Sequence, residues 1–381
     1  MSTTGVLSDI VGINSVFPNE EGVGEYIEGY LRQLGFKTLR QHVEERRFNL
    51  FAERGSGDKA VLFYGHMDTV PIYGKWNTDP LKLSRSGDKL YGVGSCDMKG
   101  GIAAVLEMVS KIDRRKRIKL LFCVDEENIS RGIWTAVKRR SWFDDVCFII
   151  SVEPGDSPKQ TGGANVITVG RRGRVVLSLD IQGLSSHGAN PQRGINALDQ
   201  AAKIAVAIKR FDLGRRRGFG SEAIFVNTID GRSTSLSVPD KAHMEIDVQL
   251  VPPNRIESAK SRMERLINSL YRSGVLNRQT KISIGIRPRS TPYINPYANN
   301  LNNRMMRRVF ALIKERFGSF VVNYGSSVAD DNVLFETTGA PTVTIGPRGG
   351  NIHTANEWVS RESLEQITGL YRELVDELLK R

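Results

Sequence analysis

Cysteine is scarce in this 381-residue chain, and the few cysteines are not paired in sequence. Cys96, Cys123 and Cys147 are an odd number, and none of them belongs to a CxxC pair. This usage indicates neither a disulfide framework nor a thiolate metal site. Long apolar runs are missing as well, because none approaches the ~20 residues that a membrane-spanning helix needs. The sequence therefore argues against small disulfide-rich folds and against a membrane protein.

The amino terminus lacks the basic segment and following apolar segment that mark a secretory signal. We therefore expect a cytoplasmic protein. A chain of 381 residues is long for one hydrophobic core, which predicts two domains. Its composition, 40% hydrophobic and 25% charged, is that of an ordinary globular protein.

The formal net charge is +12, which raises nucleic-acid binding as an alternative. The basic clusters at 114–117, 138–140 and 215–217 have no interleaved aromatic residues and fall in predicted turns and helix ends. Solvated surface is the commoner explanation of such clusters. We expect no nucleic-acid partner, and a basic surface still favours anionic substrates.

Candidate functional residues first appear after a predicted buried strand, Ala60 to Tyr64, in the segment KAVLFYGHMDTVP. His66 and Asp68 alternate with Met67, so in an extended chain their side chains point the same way. An aspartate in this position can fix the ring of a neighbouring histidine. Taken alone, a histidine at a strand end is more often structural than a metal ligand.

The same arrangement recurs along the chain. Predicted strands at 118–124 and 146–152 run into Asp125-Glu126-Glu127 and into Glu153. A predicted strand at 341–346 leads into a glycine-rich loop and His353. Consecutive carboxylates after an apolar strand must be either solvated or bound to cations. Open α/β sheets bind ligands at the carboxyl ends of their strands, where all these residues are expected.

Asp97 lies just before a predicted helix, IAAVLEMVSKI. A helix cap is the ordinary role of such an aspartate. The glycines around it, at 92, 94, 100 and 101, instead allow a close backbone approach that a cap does not need.

Two imidazoles and several carboxylates without a thiolate suit zinc or a similar divalent ion. One carboxylate more than a single site needs indicates two ions that share a bridging ligand. Adjacent Glu126 and Glu127 can divide two tasks, ligation and proton transfer.

These segments resemble the co-catalytic di-zinc aminoacylase and carboxypeptidase family, which includes desuccinylases, deacetylases and glutamate carboxypeptidase. The matching stretches are GHMDTVP, YGVGSCDMKGG, DEE, VEP, GRRG, SSHGANPQRGINA, ADDN and GPRGGNIHTANEWV. The resemblance implies two Zn²⁺ per chain, with Co²⁺ as a substitute. It implies His66 and Glu153 on one ion, Glu127 and His353 on the other, and Asp97 between them. Asp68 would orient His66, and Glu126 would be the general base and acid.

The middle of the chain predicts a β-α-β-β-α-β order, which is a ferredoxin-like unit. We therefore expect an α/β catalytic domain with a central mixed sheet flanked by helices, zinc-exopeptidase-like by resemblance, interrupted by a ferredoxin-like α+β domain. The predicted boundaries are 1–173 and 289–381 for the catalytic domain and 174–288 for the insertion. By resemblance, the inserted domain forms a homodimer and acts as a lid, and His187 reaches the partner's active site to stabilise an oxyanion.

Either Arg171 or Arg172 in the GRRG segment can pair bidentately with a substrate carboxylate, and the resemblance favours Arg171. Asn227 is a further candidate for contact with the substrate or the oxyanion. Two positions depart from the family's usual pattern: Gln249 stands where an arginine is frequent, and Arg174 where many desuccinylases have a small hydroxyl residue. We expect His42 on the surface and His243 in the core.

The leading hypothesis is a di-zinc hydrolase that cleaves the amide bond of an N-acyl-amino acid or a small peptide with a free carboxylate. The alternative from another class is a non-catalytic family member that acts as a binding or scaffold protein. A complete metal set together with Glu126 distinguishes the enzyme from that alternative.

Overall fold

The structure is a computed structural model, and it describes residues 2–155, 162–233 and 235–380. The chain forms two compact units: unit 1 comprises 1–171 and 298–381, and unit 2 comprises 172–297. The sequence-based boundaries were 173/174 and 288/289. The return to unit 1 therefore comes later than the end of the last predicted ferredoxin-like strand.

Helices and strands are numbered separately in chain order. The helices are α1 (Thr3–Val11), α2 (Glu21–Gln33), α3 (Lys99–Lys111), α4 (Arg131–Ala136), α5 (Ala197–Ala207), α6 (Ile256–Arg272), α7 (Arg304–Phe317), α8 (Asp330–Thr338) and α9 (Arg361–Leu378). The strands are β1 (Lys37–Glu44), β2 (Arg47–Arg54), β3 (Ala60–His66), β4 (Ser84–Ser86), β5 (Lys89–Tyr91), β6 (Ile118–Cys123), β7 (Val146–Ser151), β8 (Val166–Arg171), β9 (Gly173–Gln182), β10 (Arg215–Arg216), β11 (Gly220–Ser221), β12 (Ala223–Asp230), β13 (Lys241–Leu250), β14 (Lys281–Ile286), β15 (Tyr297–Ala298), β16 (Val321–Gly325), β17 (Thr342–Thr344), β18 (Gly349–Gly350) and β19 (Trp358–Ser360).

Unit 1 is built on a mixed sheet of order β1-β2-β6-β3-β7-β17-β8, with β16 paired to β8 and the short β15 at the edge. Its centre is parallel: β3 pairs in parallel with β6 and β7, and β17 pairs in parallel with β7. Every residue of β3 and β6 is buried, as expected for strands covered on both faces. The carboxyl ends of the parallel strands β3, β6, β7 and β17 therefore lie at the same edge of the sheet.

Helix α3 lies at the core of unit 1. Its residues from Lys99 to Val109 are all buried, and it packs against α1 and α9. A helix that is buried on all sides needs small residues where it approaches other backbone. The first turn of α3 supplies Gly100 and Gly101 for this purpose.

A second, small antiparallel sheet of order β18-β19-β5-β4 also belongs to unit 1. In this sheet Trp358 lies opposite Tyr91, and Val359 opposite Leu90. The pairing joins the segment after His353 to the strand that leads into the Asp97 loop.

Unit 2 contains an antiparallel sheet of order β12-β13-β9-β14, with α5 and α6 packed on one face. The order β9-α5-β12-β13-α6-β14 confirms the predicted ferredoxin-like arrangement. The departures Arg174 and Gln249 lie directly opposite each other on β9 and β13, and both donate hydrogen bonds to the buried carboxylate of Asp247.

The mixed α/β fold class is confirmed, and one minor expectation was wrong. His243 is not in the core, because its side chain is 41% exposed on the sheet face away from the helices, where it contacts Asp180. Alternation along β13 places the buried Ala242 and Met244 on the opposite face. Among the described residues, no helix combines the length and the apolar character that crossing a membrane requires.

Candidate metal centre

His66 is the last residue of β3, and its ring is held by the chain that follows. Nδ1 lies 3.0 Å from the main-chain oxygen of Asp68, while the nearer carboxylate oxygen of Asp68 is 3.6 Å away. A ring that donates from Nδ1 to a carbonyl presents Nε2 as the ligand atom. The main-chain oxygen, more than the carboxylate, therefore orients His66.

Asp97 lies between the two predicted histidine ligands. Its Oδ1 is 3.3 Å from His66 Nε2, and its Oδ2 is 3.5 Å from His353 Nε2. His353 Nε2 is also 3.0 Å from Glu127 Oε1. A carboxylate with one oxygen towards each histidine has the arrangement expected of a bridging ligand.

The acidic triplet after β6 divides between structure and site. Asp125 has a positive φ of 71°, is fully buried, and accepts hydrogen bonds from Arg47 and from the main-chain N–H of Arg131. Asp125 is therefore neither solvated nor a candidate ligand, because the buried guanidinium of Arg47 balances its charge. Glu126 and Glu127 follow this turn, and their main-chain N–H groups both donate to the carboxylate of Asp68, at 3.2 and 2.9 Å.

Glu153 comes two residues after β7 and meets Arg171 at the end of β8. Arg171 is 3% exposed; Nη2 donates to Glu153 Oε2, and Nε donates to Asp331 Oδ2 at 2.9 Å. Thr344 donates to the same oxygen of Asp331 at 2.7 Å. Arg171 was expected to bind a substrate carboxylate, whereas these contacts engage it with carboxylates of the protein itself.

Potential ligand atoms converge in two overlapping groups. In each group, the ligand atoms lie within 4.8 Å of one another. The groups are His66, Asp97 and Glu127, and His66, Glu126 and Glu153. Together with the contacts of His353, all five predicted ligands and the predicted base therefore meet at one edge of the sheet.

Two carboxyl groups of this cluster, those of Glu126 and Glu153, hold protons more tightly than usual, whereas hydrogen bonds with His353 and His66 lower the pKa of Asp97. Burial raises the pKa of Glu126 well above its ordinary value, and the charge of Glu153 adds to the shift. Burial likewise raises the pKa of Glu153 to about 7, against the opposing effect of Arg171. Such shifts arise when anionic groups share a water-poor site.

The imidazoles show the complementary effect. Hydrogen bonds to Asp97 and Glu127 raise the pKa of His353 to about 10. Burial disfavours a charged His66, yet its hydrogen bond with Asp97 and the charge of Asp68 leave its pKa well above the ordinary value. The cluster therefore attracts positive charge, which protons or metal ions can supply.

The residues present suit a divalent metal ion. Their donor atoms are imidazole nitrogens and carboxylate oxygens, as zinc sites use. Oε1 of Glu153 is buried and has no hydrogen-bond partner among the described residues, and Glu153 offers a ligand atom within 4.8 Å of those of His66 and Glu126. An oxygen in that state is stabilised by a cation.

Two residues that contact the predicted site residues were not singled out from the sequence. Glu357 is 3% exposed, and its carboxylate accepts N–H groups of the Asp97 loop. Asp331 holds Arg171. The stretches that contain them, HTANEW and ADDN, belong to the motifs that carry the resemblance, which was the available signal.

His187 and Asn227 belong to unit 2. His187 is exposed, and its Nδ1 accepts the N–H of Ala189 at 3.1 Å, so the neutral ring carries its proton on Nε2. Asn227 lies at an irregularity of the β12–β13 pairing and donates to Glu245 at 3.2 Å. A bulge re-aims the side chain of the extra residue, which is consistent with the outward position of Asn227.

Comparison with known proteins gives a consistent result. A sequence model of peptidase family M20/M25/M40 matches residues 62–377. The chain is 28% identical to a succinyl-diaminopimelate desuccinylase of Rickettsia felis, with 98% of this chain and 99% of the relative covered. A protein of the same name from Nautilia profundicola is 25% identical, with 99% of this chain and 100% of the relative covered.

Solved structures share the fold over almost the whole chain. Aminopeptidase PepT of Bacillus cereus has a TM-score of 0.78 at 18% identity, covering 99% of this chain and 98% of that one. A tripeptidase of Staphylococcus aureus has a TM-score of 0.77 at 19% identity, covering 99% and 97%. A Bacillus subtilis protein described as a dinuclear metal-binding peptidase of the M20 family has a TM-score of 0.73 at 15% identity, covering 98% and 96%.

Proposed function

Because the chain belongs to peptidase family M20/M25/M40 and is a metal-dependent amide hydrolase, we propose that it cleaves an N-acyl-amino acid or small peptide with a free carboxylate. We propose that the metal centre holds two zinc ions. The non-catalytic alternative gains no support from these relatives, and unit 1 retains every predicted ligand together with Glu126.

The observation that carries the proposal is the position of Asp97 between two histidines. His66, Glu153 and Asp97 would hold one ion, and Glu127, His353 and Asp97 the other. When bound, the two ions supply Lewis-acid polarisation of the amide carbonyl and acidification of the attacking water.

Glu126 supplies the proton transfers. It adjoins Glu127 in sequence, and its side chain lies in the same group as His66 and Glu153. Glu127 instead contacts His353, which supports ligation by Glu127 and proton transfer by Glu126. A buried carboxyl with a raised pKa can take the proton of the attacking water and deliver it to the leaving amine nitrogen.

His187 donates to the oxyanion that develops on the carbonyl oxygen. The hydrogen bond from Ala189 leaves Nε2–H as the donor of the neutral ring. A donor aimed at charge that appears only in the transition state accelerates the chemical step rather than substrate binding.

A homodimer through unit 2 is part of the proposal. The edge strand β12 exposes Phe225 (49%) and Ile229 (41%), and the neighbouring helix α5 exposes Val206 (75%). An open strand edge with apolar side chains beside it favours association with another chain. Sedimentation velocity of the wild type and of Phe225→Lys tests this assembly.

The substrate class rests on the relatives and on charge. Two relatives that match almost the whole chain are named succinyl-diaminopimelate desuccinylase, which favours an N-acyl-amino acid as substrate. The net charge of +12 favours substrates that carry carboxylates. By the resemblance, Gln249 stands where the family often has an arginine, and Arg174 stands where many desuccinylases have a small hydroxyl residue, so the substrate panel must include several acyl groups and amino acids.

The test is hydrolysis of a panel of N-succinyl, N-acetyl and N-formyl amino acids and dipeptides. Metal-free protein is compared with protein loaded with zinc or cobalt, and each substrate is paired with its carboxamide analogue. We expect turnover only after metal is added and only with a free carboxylate. Turnover that survives complete chelation would contradict the metal centre, and equal turnover of the carboxamides would contradict the substrate class.

A further inference from the structure

Three main-chain N–H groups of the loop that carries Asp97 converge on one side chain. Glu357 Oε2 accepts the N–H of Gly94 at 2.8 Å, and Oε1 accepts those of Cys96 and Asp97, both at 2.9 Å. The main-chain oxygen of Glu357 also accepts the N–H of Gly92 at 3.2 Å. One buried residue thus binds four points of a six-residue loop.

One of these contacts involves Asp97, the proposed bridging ligand, itself. The N–H of Asp97 donates to Glu357, while the side chain of Asp97 extends towards His66 and His353. The capping residue of α3, Met98, has no side-chain hydrogen bond to the helix. The direction of the Asp97 side chain therefore depends on a loop that the carboxylate of Glu357 holds from behind.

Glu357 also comes from a segment that carries another ligand. His353 precedes it by four residues, and Trp358, which follows it, pairs with Tyr91 at the start of the Asp97 loop. The same residue therefore joins the loop of His353 to the loop of Asp97. Both oxygens of Glu357 accept N–H groups, and Glu357 belongs to neither group of converging ligand atoms.

We propose that Glu357 is a positioning residue of the metal centre, which sets the main chain of the bridging Asp97 and thereby the affinity of both metal sites. The proposal depends on the proposed function in one respect, namely that Asp97 belongs to both sites. Residues that orient metal ligands typically contribute about 10- to 100-fold to metal affinity. A residue that supported only the fold would change stability without this effect.

The decisive variant is Glu357→Gln in the full-length chain. The amide keeps the shape of the side chain, but its NH₂ group faces an N–H donor where the carboxylate accepted one. We expect zinc affinity at both sites to fall by roughly 10- to 100-fold, measured by competition with a chromophoric chelator. The absorption spectrum of the cobalt-loaded protein should change as well, because it reports ligand geometry without turnover.

Glu365→Gln is the matched control. This glutamate lies on α9, is 61% exposed, and pairs only with Arg361 among the described ion pairs. The Glu365→Gln protein should bind both ions as the wild type does. A folded Glu357→Gln protein with wild-type affinity at both sites would overturn the proposal. Loss confined to one ion would also overturn it, because Asp97 is shared.

Hydrogen exchange of the wild-type protein tests the idea even if the variant does not fold. If Glu357 holds the loop, the amides of Gly94, Cys96 and Asp97 are protected before any metal is added. Protection that appears only after zinc binding would show that the metal orders the loop and would overturn the proposal. Failure of the proposed function is distinct, because it appears as a wild-type protein that shows no metal-dependent hydrolysis.

Discussion

At the scale of single residues, a substitution of Glu126 separates the proposed proton transfer from metal binding. Glu126→Gln removes the proton acceptor and keeps the five predicted ligands. Turnover should fall by roughly 10²- to 10⁴-fold, because a general base of this kind contributes that much. Steady-state kinetics and metal analysis of the same preparation check the prediction, with metal content expected to stay near that of the wild type. Loss of both ions would move Glu126 into the ligand set.

A substitution of Asp68 distinguishes two ways in which this residue can support the site. The resemblance implies that it orients His66, yet its carboxylate binds the N–H groups of Glu126 and Glu127. Asp68→Asn keeps the main-chain oxygen that holds His66 and places an NH₂ group against one of these N–H donors. We therefore expect the ion at Glu127 and His353 to be weakened more than the ion at His66 and Glu153.

Metal titration in a second background identifies the affected ion. His353→Ala removes a ligand of one site only, so the remaining ion reports the site of His66 and Glu153. Adding Asp68→Asn to that variant should leave the remaining affinity nearly unchanged. A further large loss would show that Asp68 acts through His66.

At the scale of elements, the site depends on how closely α3 approaches the end of β7. A Cβ added at Gly101 would lie 2.0 Å from the main-chain oxygen of Val152, directly before Glu153. Gly101→Ala must therefore push α3 away from β7, with a cost of about 1–3 kcal/mol in the free energy of unfolding. The displacement also separates Asp97 from Glu153, so metal affinity should fall.

Gly29→Ala is the matched control, because a Cβ there would meet nothing within 4 Å. Alanine in the middle of α2 should stabilise the protein by roughly 0.5–1 kcal/mol. Urea denaturation of both variants with and without zinc measures the two effects. Equal stabilities for the two variants would mean that α3 is not constrained at Gly101.

Comparison of individual elements shows why only part of the fold could be predicted from the sequence. β3, β6 and β7 are mainly apolar segments followed by polar residues, so the local sequence was sufficient to predict them. The strand β1 was missed because its residues, KTLRQHVE, are mostly polar and half-exposed at the sheet edge. The helix α8 was missed because it begins with buried Asp330 and Asp331, which are typical of a loop in sequence.

The candidate site, like the fold, could be predicted only in part. Ligand candidates could be predicted because each follows a strand or precedes a helix in its own segment. Their supporting partners could not, since Arg47 reaches Asp125 and Glu357 reaches Asp97 from distant parts of the chain. Arg171 shows the limit most clearly: its motif gives the guanidinium, but only the fold shows that Glu153 and Asp331 engage it.

At the scale of the whole molecule, the metal centre should control how stability depends on pH. The pKa of Glu153 rises from 4.5 to about 7, mainly through burial, and that of His353 from 6.5 to about 10 through its carboxylate partners. Both groups bind protons more tightly in the folded protein. For Glu153, the contribution to the free energy of unfolding is fully present below pH 4.5 and is lost as the pH rises through 7. For His353, it is fully present below pH 6.5 and is lost as the pH rises through 10.

Metal-free protein should therefore become less stable between pH 5 and pH 9. Urea midpoints of chelator-treated protein at pH 5, 7 and 9 check this direction, and added zinc should reverse the loss at pH 7 and 9 because it binds the folded state. Glu153→Gln should flatten the part of the curve between pH 5 and 7. A metal-free protein whose stability rises over this range would contradict the assignment of these shifts.

The assembly itself gives the last prediction, which concerns the proposed action of His187 across a dimer. His187→Ala should lower turnover by roughly 100-fold with little change in zinc content, because the lost hydrogen bond forms mainly in the transition state. Mixing this variant with Glu126→Gln then distinguishes action on the partner from action within one chain. If His187 serves the partner, a mixed dimer combines both defects in one site and leaves the other site whole.

Half of the dimers formed by free exchange are mixed, and one of their two sites is active, so activity should recover to roughly a quarter of the wild type. Mass spectrometry of differently tagged subunits establishes exchange, and an exchanged mixture that stays inactive would mean that His187 acts within its own chain or not at all.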